Sequence, residues 1–438
     1  MLTFFVKTFG CQMNVHDSEK ISGILCNSGY KKVELMKDAD VIVLNTCSVR
    51  EKPEQKIYTE LGRIKKIKQQ RPDIIVAVCG CVAQQERESL FKRSSVPDLV
   101  ISPKNIDKLP ELIKDRHASG NKKCAISEPK QLPVFELAYI ERQSRYKAYI
   151  TIMEGCNKFC SFCIVPFARG REICRPFNNI LEEAQQLAEA GYKEICLLGQ
   201  NVNSYTYSSY TFSDILNKIS QIKALKRIRF ITSYPKDFDN ILIDVIKNNP
   251  TICNYVHLPV QSGSNKILEK MRRGYTREEY LEKIQLLTDA IPSICLSTDI
   301  IVGFPGETEQ DFQQTLDLVQ QAQFTIMYSF KYSPRPYTYA LKYADDVSEE
   351  IKEYRLTTVQ AMQKKIQIKH FARLVGQEKE ILVEGFSKKS AAEQTGRTTE
   401  NIIVNFIVHE NLSGKTVCVK IIEALSNCVK GKLIKVLD

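Results

Sequence analysis

Strand-like apolar runs followed by helical stretches recur through most of this chain, and that alternation constrains its fold more than any other feature. Near the start stand "LTFFVKTFGC", "ADVIVLNTC" and "DIIVAVCGC", each followed by a helical pattern. After the first, Asp17 or Ser18 can cap a helix carrying Ile21, Ile24 and Leu25 on one face. After the second comes "EKPEQKIYTELGRIKKIK", with Pro53 tolerable in a first turn, and after the third "AQQERESLFKR". Alternating strand and helix predict a small parallel α/β sheet over residues 1–116.

Residues 117–143 are polar and broken ("ASGNKK", "SEPKQLP") and read as a linker. Six further strand-like runs follow over 144–370, from "YKAYITIMEG" to "TIMYSFKYSPRP", with helical stretches such as "NNILEEAQQLAEAGY" between them. Six βα units are too few for a closed eight-fold barrel, so a partial (βα)6 barrel is expected, its site on the loops at the C-terminal strand ends. Over 373–438 the pattern changes to short β-like runs, "EKEILVEGFS", "NIIVNFIVH" and "KTVCVKIIEA", which predict a small all-β barrel. The fold class is therefore α/β with an appended β barrel.

The 438 residues imply two or three domains. No apolar run reaches the length of about 18 residues that a membrane span needs, and no secretory signal is evident, so a cytoplasmic protein without a membrane partner is expected. Fifteen cysteines are then too many for stable disulfides. Cys196, Cys253 and Cys418 sit in apolar runs and read as buried small residues. With five histidines and no HExxH pair, a histidine-rich zinc hydrolase site is not supported. The net charge of +11 suits a polyanionic partner such as nucleic acid.

"EGCNKFCSFCIVP" sets Cys156, Cys160 and Cys163 on the loop after the first barrel strand. Three thiolates on one loop can hold three irons of a [4Fe–4S] cluster and leave the fourth open to a substrate or cofactor. A structural zinc would want a fourth local ligand, and none offers itself. In the first region Cys11, Cys47 and Cys81 each end a strand; parallel strands would bring those ends to one edge. "CGC" leaves Cys79 as an alternative to Cys81, since strand alternation puts both on one side unless Gly80 turns the backbone.

The stretches "TFGCQMNVHDSE", "VLNTCSVREKPEQKIYTELGR" and "IMEGCNKFCSFCIVPFARGRE" together resemble the methylthiotransferases of the radical S-adenosylmethionine (SAM) superfamily, and the resemblance spans nearly the whole chain. It implies an N-terminal auxiliary-cluster domain, a radical SAM core and a terminal TRAM domain. It implies two [4Fe–4S] clusters: Cys156, Cys160 and Cys163 on the radical-generating one, and Cys11, Cys47 and Cys81, in preference to Cys79, on the one that carries sulfur. One SAM would methylate that sulfur and a second would give the radical that removes hydrogen from carbon 2 of an adenine. "QMN" after Cys11 and "SVREK" after Cys47 resemble the branch acting on N6-isopentenyladenosine beside the tRNA anticodon. The implied partners are that tRNA, an electron donor protein and a sulfur or cluster donor, with the chain a monomer.

By the same resemblance, Gly199, Gln200 and Asn201 of "LLGQN" and Asp299, Ile301 and Gly303 of "STDIIVGFPGE" lie where the superfamily touches SAM, and Ser233 and Gln261 also end strands. Arg169, Arg171 and Arg335 are candidate tRNA or substrate contacts. "RIKKIKQQR" (63–71) reads as a solvated helix face. Two positions depart from the family pattern: Tyr234 stands where histidine is common and Tyr337 where glycine is common.

Overall fold

The computed structural model describes residues 1–48, 51–126, 140–387, 390 and 392–438, with the side chains of 51–54 also left aside. The N-terminal region is a six-stranded, all-parallel sheet in the order β2-β1-β3-β4-β5-β6: β1 Thr3–Thr8, β2 Lys31–Lys32, β3 Val41–Thr46, β4 Ile75–Gly80, β5 Leu99–Ile101 and β6 Lys123–Ala125. Side chains alternate across β3, so Val41 and Val43 pack on Phe4, Ile21 and Leu25, while Ile42 and Leu44 pack on Ile57, Leu61 and Val82 on the other face. Burial on both faces accounts for the near-continuous apolar runs of β3 and β4.

Three sequence expectations are corrected here. The linker does not begin at 117: a helix runs to Ser119 and β6 then joins the sheet edge, a strand too short to carry an alternating signal. Residues 127–139 of the expected linker lie outside the described residues, as do 49–50 of "SVREK". Helix α1 spans Gln12–Asn27, so Asp17 and Ser18 lie inside it and cap nothing. Both are buried by tertiary contacts, Ser18 accepting from Thr8 Oγ1 at 2.8 Å and from Asn45 Nδ2 at 2.9 Å. The basic run lies on helix α2, Glu51–Gln70; Arg63, Lys65 and Lys66 are solvated, but Lys68 turns in to pair with Asp98.

The central region holds all six anticipated strands as two parallel half-sheets. Lys147–Thr151, Glu194–Leu198 and Arg227–Ile231 form one; Tyr255–His257, Cys295–Val302 and Ile326–Lys331 form the other. A parallel bridge between Ile228 and Ile252 links them into an open barrel. Its helices close the outside; Ile180, Ala184, Leu187 and Ala188 of Phe177–Glu189 are buried in the shared core.

Five strands over 378–436 close the C-terminal barrel, two more than the three runs legible in sequence. It docks on the N-terminal end of the central barrel. There Arg227 donates to the Arg397 carbonyl at 2.6 Å, Arg229 to the Thr398 carbonyl at 2.7 Å, and Tyr146 Oη to the Glu384 carbonyl at 2.6 Å. Cys196 and Cys253 are buried as expected, but Cys418 is half-buried, its thiol donating to Glu378 Oε2 at 3.5 Å on an outer face. Among the described residues no helix is long and apolar enough to cross a membrane.

Candidate active site

Strand register brings the N-terminal cysteines together. Thr8 is level with Asn45, and Asn45 with Cys79, so the chain leaves three adjacent strands at one height. Cys11 is the N-cap of α1, Cys47 follows β3, and Cys81 opens helix α3, Cys81–Glu86. Gly80 decides between the two thiols of "CGC". Its φ of 92° turns the backbone, and a Cβ there would strike the Thr46 carbonyl. Cys79 points into the apolar core beside Phe4 and Ile21, where burial pushes its thiol up to about 12. Cys81 points the other way, onto Ile164 and Ala168.

The Cys47 thiol hydrogen-bonds Cys11 and, with Arg169 nearby, lowers Cys11 to about 6 against the opposing effect of burial. Burial raises Cys81, partly countered by Arg169. No group of three or more His, Cys, Asp or Glu side chains among the described residues converges on a point as a single ion requires. A [4Fe–4S] cube spreads its thiolates over separate irons, and three thiols on three neighbouring strand ends, two of them at helix starts, fit that donor set.

Cys156, Cys160 and Cys163 lie on the loop between the first barrel strand and the short helix Val165–Ala168. The loop is pinned on several sides. Gln200 Oε1 accepts from the Gly155 N–H at 2.5 Å, Ser161 N–H donates to the Met271 carbonyl at 3.0 Å, and the Lys158 N–H donates to Cys156 Sγ at 3.5 Å. Arg273 Nη1 donates to Cys160 Sγ at 3.2 Å, and the rings of Tyr234 and Tyr275 flank its guanidinium. Burial pushes Cys156 up to about 11 and Cys163 up to about 12, so these thiols ionise when metal replaces the proton.

The anticipated SAM residues gather at the C-terminal strand ends beside that loop. Gly199 packs against Met153, and Asn201 Nδ2 donates to Asp237 at 2.8 Å. Gln261 bridges to Ile300 and adopts a φ of 82°, while Ile301 N–H donates to the Gln261 carbonyl at 2.9 Å. The Gly303 N–H donates to Glu307 Oε2 at 2.6 Å. Three buried oxygens here, Asn201 Oδ1, Ser233 Oγ and Asp299 Oδ1, have no hydrogen-bond partner among the described residues. Buried polar atoms are rarely left unpaired, and this trio fits a polar ligand such as the SAM amino acid and ribose.

The arginines separate. Arg169 is 4% exposed and donates to Asp17 Oδ2 at 2.6 Å, with Glu154 3.7 Å from its other nitrogen, so it cannot meet an external phosphate. Arg335 is also buried, at 8% exposure. Arg171 is exposed, its guanidinium 4.2 Å over the Phe159 ring. Tyr234 is buried with its hydroxyl donating to the Arg273 carbonyl, whereas Tyr337 is 59% exposed. Arg273 and Glu307 carried no sequence signal for the site: Cys160 stands 113 positions from Arg273, and Arg355 stands 48 from Glu307.

The two cysteine sets face each other across the domain contact. Cys81 packs on Ile164, the residue after Cys163, and Met13 packs on Cys196 and Leu198 while accepting from Thr151 Oγ1 at 3.7 Å.

Comparison with known proteins adds three family matches: the uncharacterized protein family UPF0004 over residues 3–102, the radical SAM superfamily over 150–319 and the TRAM domain over 372–434. Among solved structures, a radical S-adenosylmethionine methyltransferase from Kitasatospora setae, TsrM, is 15% identical with a TM-score of 0.58, covering 78% of this chain and 75% of that one. The cobalamin-dependent SAM radical enzyme OxsB is 15% identical with a TM-score of 0.53, covering 83% and 56%. Both likenesses concern the fold. The radical SAM match falls on the open barrel, and together with the curated relatives it makes this chain a radical SAM transferase.

Its curated relatives narrow that class. The tRNA-2-methylthio-N(6)-dimethylallyladenosine synthase of Thermoanaerobacter pseudethanolicus is 43% identical over 100% of this chain and 93% of its own, and that of Syntrophotalea carbinolica 42% over 99% and 100%. The chain belongs to the tRNA-2-methylthio-N(6)-dimethylallyladenosine synthase family.

Proposed function

We propose that this protein adds a methylthio group to carbon 2 of N6-isopentenyladenosine next to the anticodon of tRNA, in the cytoplasm. Cys156, Cys160 and Cys163 hold one [4Fe–4S] cluster, and Cys11, Cys47 and Cys81 hold a second. When bound, the first supplies the electron that splits one SAM to a radical, and the second carries the sulfur that a further SAM methylates. The observation that carries this reading is the apposition of the two cysteine sets through Cys81, Ile164 and Ala168. An aromatic C–H offers no acidity to a general base, so hydrogen must leave as an atom with the sulfur source within bonding reach.

The chain's own residues have separable tasks. Gln200 holds the cysteine loop at Gly155, and Arg273 hydrogen-bonds Cys160. Asn201, Ser233 and Asp299 offer their unpartnered oxygens to SAM, beside the backbone of Gly199, Gln261, Ile301 and Gly303. Arg169 ties the auxiliary domain to the core through Asp17. The +11 charge favours a polyanionic RNA over a protein substrate of mixed charge. An electron donor protein and a sulfur or cluster donor complete the cycle.

The test is mass spectrometry of tRNA nucleosides from cells lacking the gene. Isopentenyladenosine should accumulate and its 2-methylthio form vanish, returning with the gene. Persistence of the methylthio nucleoside, with no second such gene, would overturn the assignment.

A further inference from the structure

Three exposed aromatic side chains of the central barrel stand beside the cysteine loop. Tyr337 is 59% exposed, Tyr339 39% and Phe167 37%. Phe167 sits 6.5 Å from Phe159, edge to face, and 6.1 Å from Tyr337. Cations accompany them: Arg171 lies 4.2 Å over Phe159, and Arg272 lies 3.6 Å over Tyr339. The strip is anchored to the cluster loop, because the Ala340 N–H donates to the carbonyl of Ser161, between Cys160 and Cys163, at 2.8 Å. On the other side Tyr337 and Phe167 border a cleft of about 140 Å³ shared with Gln84 of the auxiliary domain, three residues after Cys81. The strip therefore runs from the cysteine loop to the contact with the auxiliary domain near Cys81.

Tyr337 gives the strip its meaning. Its φ of 69° lies in the left-handed region, where a bulky side chain is strained and glycine is at ease. A ring 59% exposed contributes little core packing to offset that strain. Strain kept at a solvent-facing aromatic points to a ligand. RNA loops are recognised through splayed bases stacked on aromatic rings and guanidinium planes, with cations taking the phosphates.

Resting on the tRNA reading above, we propose that Phe167 and Tyr337, flanked by Arg171 and Arg272, form a stacking platform for the unpaired bases that neighbour the target adenosine. The departure from glycine at 337 is then an added contact of this chain.

The test uses the full-length reconstituted enzyme and an anticodon stem-loop RNA carrying N6-isopentenyladenosine with 2-aminopurine at the adjoining nucleotide. The wild type should quench the 2-aminopurine fluorescence on binding. The double variant Phe167→Ala/Tyr337→Ala should lose the quench and bind about tenfold more weakly or worse, while Tyr337→Phe keeps both. Tyr337→Gly separates stacking from folding: it should melt no lower than the wild type yet lose quench. A wild type that binds and methylthiolates the RNA, with a double variant of unchanged quench and affinity within twofold, overturns the platform alone. Loss of quench confined to variants that melt lower overturns it as well. A wild type that neither binds nor modifies this RNA brings down the tRNA reading and the platform together.

Discussion

Arg169 Nη2 donates to Asp17 Oδ2 at 2.6 Å across the contact between the auxiliary domain and the radical SAM barrel, with both side chains 4% exposed. This pair fixes how the two cysteine sets face each other. Breaking a buried pair leaves one charge without compensation, at a cost of about 3–5 kcal/mol. Arg169→Gln is therefore expected to lower the denaturant midpoint strongly. Adding Asp17→Asn should recover part of the loss, since the abandoned carboxylate is then neutral.

Iron content distinguishes the thiols. The two proposed [4Fe–4S] clusters would give about eight irons per chain. Cys11→Ala, Cys47→Ala or Cys81→Ala should leave about four after anaerobic reconstitution, as should replacing a cysteine of the 156–163 loop. Cys79→Ala should keep about eight, because that thiol faces the apolar core. Iron lost from Cys79→Ala but retained in Cys81→Ala would reverse the assignment.

Ser233 is 3% exposed and its hydroxyl has no hydrogen-bond partner among the described residues. An unmet buried hydroxyl costs about 1–3 kcal/mol. Ser233→Ala should thus melt at or above the wild-type temperature without SAM, yet bind SAM about five- to tenfold more weakly by calorimetry. A variant that binds SAM normally removes Ser233 from the site.

Glu307 supplies a pH signature. Burial raises its carboxyl from 4.5 to about 7, against the Gly303 N–H and Arg355 that favour the anion. A raised acid binds its proton more tightly when folded, so the contribution of Glu307 to stability is greatest below pH 4.5 and falls as pH climbs towards about 7. The loss is at most about 3 kcal/mol. Stability measured across that window should flatten in Glu307→Gln; an unchanged slope would assign it to other groups.

The C-terminal barrel is built into the core. Arg227 is 2% and Arg229 5% exposed, and both spend donors on carbonyls of residues 397–399. Truncation after residue 372 would strand these guanidiniums and uncover Tyr255, Cys295 and Phe371. The shortened chain should aggregate or unfold at lower denaturant than the intact protein, as followed by light scattering and circular dichroism.

Local chemistry made much of this readable in sequence. Apolar runs of the right length gave nine strands of the two α/β regions, and three closely spaced cysteines marked a loop that the structure places at the C-terminal end of the first barrel strand, because strand burial and thiolate spacing both write short-range patterns. The very short strands Lys31–Lys32, Leu99–Ile101 and Lys123–Ala125 left no such pattern, since two or three residues cannot show a period. Asp17 looked like a helix cap for a different reason: its partner Arg169 stands 152 positions away.

The sequence by itself determined the alternation of strand and helix, the change to a β barrel near residue 373, and which cysteines could be ligands. Tertiary structure decided the rest. Strand alternation put Cys79 in the core with Ile75 and Ala77, and the φ of 92° at Gly80 turned Cys81 towards the barrel. The parallel register brought Cys11, Cys47 and Cys81 to one sheet edge, and docking buried Arg169 while leaving Tyr337 in solvent. Periodicity reports which face of an element is apolar; only packing fixes what each polar side chain meets across the space between elements.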